Sequence, residues 1–225
     1  MNEYVIKPIA YINNDLKTKF GVPRQSGLAN EVLSEIVFEP EYRVSDALRG
    51  LEDFSHIWLI WGFSEARRDG WSPTVRPPRL GGNERLGVFA TRSPYRPNSL
   101  ALSCVKVVKI ESREGFGEVI TVSGADLMNG TPIYDIKPYL PYADSIPDAK
   151  GGFAPDGGKV LEVIDEENVL GKLAHDKRNA LVSLLARDPR PQYHNDPERV
   201  YGMEYGDYEV KFRVDGETLY VVSVE

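Results

Sequence analysis

Short segments rich in β-branched and aromatic residues recur along the first half of the chain, separated by glycines and prolines. β-Branched and aromatic residues favour extended backbone, whereas glycine and proline interrupt regular elements. Several short strands at this spacing predict a barrel or a sandwich. The predicted strands are Tyr4–Ile12, Val32–Phe38, His56–Phe63, Gly87–Thr91, Leu102–Ile110 and Glu118–Ser123.

Signals for helices are fewer. A serine at the start and a glycine after the end predict one short helix at Ser45–Arg49. Leucines recur at helical spacing over Glu167–Arg187, which predicts a longer helix that ends at an Asp-Pro pair. Two last strands, joined by an Asp-Gly turn, are predicted at Asp207–Val214 and Thr218–Val224.

A change of composition divides the chain. The segment Ser145–Lys159 is rich in glycine, proline and aspartate, which is typical of a linker or a long exposed loop. We therefore expect a domain boundary near residue 150, with an all-β domain over residues 1–150 and a small α+β domain over 151–225. The predicted fold class is mainly β.

One segment, Trp71–Asn98, combines arginine, proline and glycine without the periodicity of a helix or a strand. Proline restricts the backbone and glycine permits unusual turns, so this composition favours a loop of fixed shape. The segment therefore predicts a rigid cationic surface. Its arginines are Arg76, Arg79, Arg85, Arg92 and Arg96.

The distribution of charge makes this surface stand out. The whole chain has a net charge of -7, which by itself argues against a nucleic-acid partner. Residues 67–96, however, hold seven arginines against only Asp69 and Glu84, so this part is strongly positive. For any single arginine, pairing with an acid elsewhere is the first expectation. For the cluster as a whole, we favour binding of phosphate.

Several kinds of site are not expected. The sequence contains no apolar run of about 18 residues and no secretory leader at its start, so a cytoplasmic protein without a membrane anchor is expected. Cys104 is alone, which excludes a disulfide within the chain. His56, His175 and His194 lack metal-ligand spacing, so no metal is expected, and His56 is interpreted as structural.

The usual nucleotide-binding motifs are also absent. No strand is followed by Gly-x-Gly-x-x-Gly, and no Gly-Lys-Ser/Thr completes a Walker motif, so Rossmann and P-loop binding are disfavoured. A second loop punctuated by proline and glycine is predicted at Asp126–Tyr139, with a turn at Asn129-Gly130. As a bare turn, this segment carries no function.

Five sequence blocks together resemble the TrmO family, also called the TsaA-like or YaeB family. They stand in the family's order and cover nearly all of residues 1–150, and the later segment Asp188–Met203 resembles the C-terminal domain of bacterial members. The blocks are FGVPRQSGL (Phe20–Leu28), GLEDFSHIW (Gly50–Trp58), VRPPRLGG (Val75–Gly82), GVFATRSPYRPNSL (Gly87–Leu100) and GTPIYDIKPYLPY (Gly130–Tyr142).

The resemblance implies an S-adenosylmethionine-dependent tRNA methyltransferase with a catalytic domain built as a single-sheet β-barrel. The implied reaction is methylation of N6 in threonylcarbamoyladenosine at position 37, beside the anticodon of threonine tRNAs. A homodimer is also implied.

The same resemblance assigns roles to residues. Those implied to bind the cofactor are Pro23, Arg24, Gln25, Ser64, Glu65, Arg92, Leu102, Asn129, Gly130, Thr131 and Pro132. Ser64 and Glu65 stand where many members have His-Gln or His-Lys, and Asn129 replaces a common aspartate, so fine substrate specificity is in doubt. Arg24 is expected near the methionine carboxylate, and Leu102 against the adenine.

Catalytic and tRNA-binding residues are implied as well. Asp135, Lys137 and Tyr142 lie in the catalytic block: Asp135 orients or deprotonates N6, and Lys137 holds the threonyl carboxylate. A structural ion pair between Asp135 and Lys137 is an equal alternative. The arginines expected to contact phosphates of the anticodon arm are Arg76, Arg79, Arg85, Arg96, Arg190 and Arg199.

Two other functions remain open from the sequence. The barrel could be a non-catalytic module that holds RNA with its arginine loops. It could also transfer methyl groups from S-adenosylmethionine to a different acceptor. A non-catalytic RNA-binding module should not bind S-adenosylmethionine. A methyltransferase with a different acceptor should not depend on threonylcarbamoyl-modified tRNA.

Overall fold

The computed structural model describes residues 3–65, 70–191 and 196–225 of the chain. In chain order, the strands are β1 (Ala10–Asn13), β2 (Leu33–Phe38), β3 (His56–Gly62), β4 (Thr74–Val75), β5 (Leu86–Gly87), β6 (Leu100–Arg113), β7 (Gly117–Ser123), β8 (Pro132–Pro138), β9 (Glu162–Ile164), β10 (Tyr201–Tyr205), β11 (Tyr208–Asp215) and β12 (Thr218–Val224). The α-helices are α1 (Pro141–Asp144) and α2 (His175–Ala186). The 3-10 helices are Pro40–Tyr42, Ser45–Leu48, Leu51–Asp53, Pro78–Leu80, Val88–Ala90 and Val169–Lys172.

Six strands form a sheet that closes into a barrel in the order β1-β2-β7-β6-β3-β8. Every neighbouring pair is antiparallel, and β8 completes the ring by pairing with both β3 and β1. Along β3, residues alternate between a buried and a half-buried side, as the two-residue period of a strand requires. Ile57 and Leu59 point inward and pack with Ile36, Ile120 and Ile133.

A second sheet has the order β10-β11-β12-β9, in which β9 runs parallel to β12. Helix α2 contributes Leu181 and Leu185 to a core that also contains Phe212. Leu16 and Ala29, which lie before and after the predicted cofactor block, belong to this second core. A short segment of the N-terminal half, which contains Leu16 and Ala29, therefore packs into the C-terminal unit.

The mainly β class is confirmed, and so are most of the predicted strands. The strands expected around Val32–Phe38, His56–Phe63, Leu102–Ile110, Glu118–Ser123 and Thr218–Val224 are present. The strand expected at Asp207–Val214 is shifted by one residue. The short helix expected at Ser45–Arg49 is the 3-10 helix Ser45–Leu48. Within the described residues, no helix is long and apolar enough to cross a membrane.

Two predicted strands are corrected. The strand predicted at Tyr4–Ile12 begins only at Ala10, and Tyr4 and Val5 are 87% and 89% exposed. Pro8 interrupts that segment because it has no N–H for the ladder. The strand predicted at Gly87–Thr91 ends at Gly87, and the chain turns into the 3-10 helix Val88–Ala90.

Other elements differ from expectation for local reasons. The helix predicted at Glu167–Arg187 is divided into Val169–Lys172 and α2, because Leu173 is extended and Asp165 accepts the N–H groups that begin the first part. β8 was predicted as a loop, yet its prolines stand only at its two ends, where a missing N–H is tolerated. β10 begins within the segment Asp188–Met203, for which no strand was expected.

Candidate functional site

Three segments that are distant in sequence meet beside the predicted cofactor block. The Arg92 guanidinium donates a hydrogen bond to the side-chain oxygen of Gln25. Two residues after Gln25, the Gly27 N–H donates a hydrogen bond to the Gly124 carbonyl at 2.9 Å. The structure thus brings Gln25 and Arg92 together, as a shared cofactor site requires, and it adds the end of β7 to the same place.

Asp126 is the residue at this place that the sequence analysis missed. Its carboxylate accepts a 2.5 Å hydrogen bond from the Ser103 hydroxyl, which in turn accepts a 2.9 Å bond from the Trp61 indole N–H. Burial raises the pKa of Asp126, while the Ser103 hydroxyl, the Ser26 N–H and the charge of Arg92 act in the opposite direction. No motif marks a single aspartate of this kind, since its partners Ser26, Arg92 and Ser103 come from three separate segments.

The predicted cofactor residue Arg24 faces the C-terminal unit. Its side chain donates a 3.3 Å hydrogen bond to the carbonyl of Arg190, and Asp188 lies close enough to act on its charge. Nearby, the Lys19 ammonium donates to the Glu65 carbonyl at 3.0 Å, which places the exposed pair Ser64 and Glu65 beside the same segment.

The turn at residues 129–132 is fixed firmly to β1. Gly130 adopts a φ of 75°, a conformation that favours glycine, and its N–H donates to the Ile12 carbonyl at 2.8 Å. The Asn129 side chain accepts the Asn14 N–H at 3.0 Å, while Thr131 and Pro132 are buried. The turn therefore presents a rigid edge.

Leu102 and two of the predicted catalytic residues, Asp135 and Lys137, line up on the outer face of the barrel. Ile60 on β3 is paired with Leu102 on one side and with Asp135 on the other. In the next outward row, Trp58 lies between Cys104 and Lys137. Directly opposed residues share a face of a sheet, so these side chains form one surface.

Asp135 and Lys137 form an ion pair on this outer face, with 2.8 Å between their charged atoms. Asp135 also accepts the Ile136 N–H at 2.9 Å. Tyr142 lies on α1 and is 87% exposed. Among the described residues, no hydrogen bond or ion pair joins these three to Gln25 or Arg92.

The predicted phosphate-binding arginines differ in what they contact. Arg76 is exposed, and Arg85 donates to the Thr74 hydroxyl at 2.7 Å. Arg79 forms an ion pair with Asp156, and Arg96 braces its own loop by donating to the Thr91 carbonyl at 3.0 Å. The guanidinium of Arg199 lies over the Tyr201 ring at 5.1 Å.

Arg190 does not fit its predicted role. Only 8% of the residue is exposed, and its guanidinium donates two hydrogen bonds to Asp188 at 2.8 and 3.0 Å. A guanidinium that is buried and paired with Asp188 has little surface left for a phosphate. Arg67, Arg68 and His194 lie outside the described residues.

Comparison with known proteins matches both halves of the chain. Residues 11–145 match the family model described as the tRNA-methyltransferase O N-terminal domain, and residues 163–225 match the TrmO C-terminal domain. The chain belongs to the TrmO family. The first match alone includes all the residues implied to bind the cofactor and those implied to be catalytic.

Individual TrmO relatives extend this result over the whole chain. An Escherichia coli protein named tRNA (adenine(37)-N6)-methyltransferase is 38% identical over 234 residues, covering 100% of this chain and 99% of its own. A crystal structure of TrmO from Pseudomonas aeruginosa superposes with a TM-score of 0.80 at 32% identity, over 100% of both chains. A "probable S-adenosyl-L-methionine-binding protein" of Pyrococcus abyssi is 37% identical, over 61% of this chain and 69% of its own.

Proposed function

We propose that this protein transfers a methyl group from S-adenosylmethionine to N6 of adenine 37 in tRNA. The observation that carries the proposal is the full-length similarity to an Escherichia coli enzyme named for that reaction. The Pyrococcus relative, named for binding of the cofactor, supports the methyl donor.

The residues at the cofactor block suit the chemistry of S-adenosylmethionine. The planar guanidinium of Arg24 matches the carboxylate of the methionine part, and its observed partner is a single backbone carbonyl, that of Arg190. Gln25 and Arg92 supply an amide and a second guanidinium beside it. Pro23, the pair Ser64-Glu65 and the rigid turn 129–132 complete the proposed set, with Leu102 as an apolar wall against the adenine.

When bound, the cofactor supplies a methyl group on a positively charged sulfur, which leaves as a neutral thioether. The protein must therefore align the acceptor nitrogen with that methyl group. It must also accept the one proton that the nitrogen loses. Holding the reactants in line contributes up to about 7 kcal/mol in favourable cases. No covalent enzyme intermediate is needed.

We propose further that the acceptor adenine carries a threonylcarbamoyl group. N6 is then part of a urea-like group, and it loses its proton as the new N–C bond forms. In this account Asp135 orients N6 or accepts its proton, Lys137 binds the threonyl carboxylate, and Tyr142 borders the site. The row of Leu102, Ile60 and Asp135 on one outward face supports this assignment.

For the tRNA, we propose phosphate contacts at Arg76, Arg79, Arg85, Arg96 and Arg199. Arg190 is left out because it is buried against Asp188. Each contact releases counterions from the RNA, so binding should weaken steeply with salt.

The organisation of the molecule follows the same account. We propose two domains, 1–150 and 151–225, and the separate family matches at 11–145 and 163–225 support this division. A homodimer and a cytoplasmic location, where tRNA is modified, also remain proposals. Light scattering of the purified protein tests the dimer.

The proposal is tested by methyl transfer from labelled S-adenosylmethionine to tRNA that carries threonylcarbamoyladenosine at position 37, with a transcript carrying guanine at position 37 as the control. Methylation of the adenine tRNA alone supports the proposal. A protein that binds RNA but no cofactor would instead be a non-catalytic module. Cofactor binding without tRNA methylation would indicate another acceptor.

A further inference from the structure

The two-stranded ribbon β4–β5 holds two large aromatic rings at the surface. Trp71 and Phe89 lie just outside the ribbon and stack with their ring centroids 6.3 Å apart and their planes at 24°. Their exposed fractions are 52% and 71%, so neither ring belongs to a core. Both rings present apolar area to solvent.

The backbone around the rings is fixed by hydrogen bonds. The Val88 N–H donates to the Pro73 carbonyl at 3.0 Å, and the Ser72 N–H donates to the Tyr95 carbonyl at 3.1 Å. Val88, which directly precedes Phe89, is buried with 1% of its surface exposed. It therefore anchors the backbone at Phe89. The ring pair is therefore held in place by its neighbours, and a ligand that stacks on it loses little free energy to ordering of the protein.

Two arginines follow the last paired residues at the opposite end of the ribbon. The last paired residues are Val75 and Leu86, so Arg76 and Arg85 follow as the next opposed positions. Like charges at such positions destabilise a strand pair. Arg85 donates to Thr74, and Glu84 stands next to it in the chain, but both arginines are exposed. An anion near the ribbon end would offset this repulsion.

An aromatic stack at one end of a short ribbon and two exposed arginines at the other match the chemistry of a short stretch of unpaired RNA. Base–aromatic stacking and phosphate–arginine contacts are the two elements by which proteins hold single-stranded nucleic acid. The charge of the chain agrees, since its net value is -7 while residues 67–96 are positive. This positive segment would attract an anionic partner.

We propose that the Trp71–Phe89 pair stacks an unpaired base of the tRNA anticodon loop, while Arg76 and Arg85 contact the adjoining phosphates. This inference rests on the proposed function and extends it to a specific surface. The rings supply affinity that does not depend on salt, and the arginines supply affinity that does.

The test compares tRNA binding across several salt concentrations for the wild type, Phe89→Ala and Phe89→Trp. Phe89→Ala should weaken binding about tenfold at every salt concentration, with an unchanged salt slope, because a neutral ring releases no counterion. Phe89→Trp should keep wild-type affinity. Phe116→Ala, which removes another exposed ring that lies beneath Arg43, is the matched control and should bind normally.

An Arg76→Ala, Arg85→Ala double variant completes the test. It should lower the salt slope by about two, and the affinity for the cofactor should stay unchanged in all variants. Normal tRNA binding by Phe89→Ala would overturn the proposal. A change in oligomeric state on Phe89→Ala would also overturn it, because the rings would then join two copies of the chain. A wild type that methylates no tRNA would refute the proposed function itself.

Discussion

At the scale of single residues, the proposed cofactor site includes one carboxylate without a sequence signature. Asp126 is joined to the Ser103 hydroxyl, and it also interacts with the Ser26 N–H and the charge of Arg92. Sequence reasoning could name Gln25 and Arg92 through a family resemblance. Sequence reasoning could not name Asp126, because the partners of this carboxylate are brought together only by the packing of β6, β7 and the block at Gln25.

We expect Asp126→Asn to weaken cofactor binding by about ten- to a hundredfold, because loss of a charge-assisted hydrogen bond costs about 1.5–3 kcal/mol. Calorimetric titration with S-adenosylmethionine measures the effect, and urea unfolding checks that the protein is still folded. Asp144→Asn is the control, since that carboxylate bonds the Trp58 indole away from the block. An unchanged dissociation constant would remove Asp126 from the site.

The role of Lys137 can be separated from its ion pair with Asp135. If Lys137 binds a threonyl carboxylate, Lys137→Ala raises the KM for modified tRNA about tenfold. The affinity for tRNA without the threonylcarbamoyl group should not change, because that RNA offers no carboxylate. An equal effect on binding of both RNAs, or none on either, would favour the structural ion pair.

At the scale of elements, strands whose residues alternate clearly between buried and half-buried positions were predictable from the sequence. Short strands and strands bounded by prolines were not. β3 alternates between buried and half-buried residues, and its bounds were predicted to within one residue. β8 carries prolines at both ends, which in a sequence resemble loop signals. Its strand character comes from hydrogen bonding to β1 and β3, and such long-range pairing leaves no local pattern.

A cross-strand ion pair gives an element-scale prediction. Glu35 on β2 accepts two hydrogen bonds from Arg113 at the end of β6, at 3.0 and 2.7 Å. These hydrogen bonds hold the pKa of Glu35 below its usual value. Because the folded-state pKa is lowered, the stabilisation is present above the unfolded-state pKa and is lost as the pH falls through the folded-state pKa.

We therefore expect Glu35→Gln to lower the free energy of unfolding at neutral pH, with the difference from wild type shrinking as the pH falls through that range. Urea unfolding at a series of pH values measures it. Glu114→Gln, in an exposed turn, serves as the control. A difference that stays constant with pH would show that the ion pair does not contribute.

At the scale of the whole molecule, the two units share structure around the cofactor block. Leu16 and Ala29 pack into the C-terminal core, and Arg187 donates a 2.7 Å hydrogen bond to the Leu28 carbonyl. The sequence placed a boundary near residue 150, but it could not indicate that the N-terminal segment crosses to the other unit. The C-terminal unit thus holds the segment that includes Arg24 and Gln25.

This shared core predicts a single cooperative unfolding transition for the full chain. Tryptophan fluorescence reports the N-terminal unit, which contains Trp58, Trp61 and Trp71, and far-ultraviolet circular dichroism reports both units. The two signals should have coincident midpoints in urea. Separate midpoints would mean that the units are stable independently of each other.

The most direct measurement is nucleoside mass spectrometry of two tRNA pools after incubation with the protein and labelled S-adenosylmethionine, one carrying threonylcarbamoyladenosine and one lacking it. The account predicts labelled N6-methyl-threonylcarbamoyladenosine in the modified pool and no label in the other. Absence of label from both pools, with the cofactor bound, would contradict it.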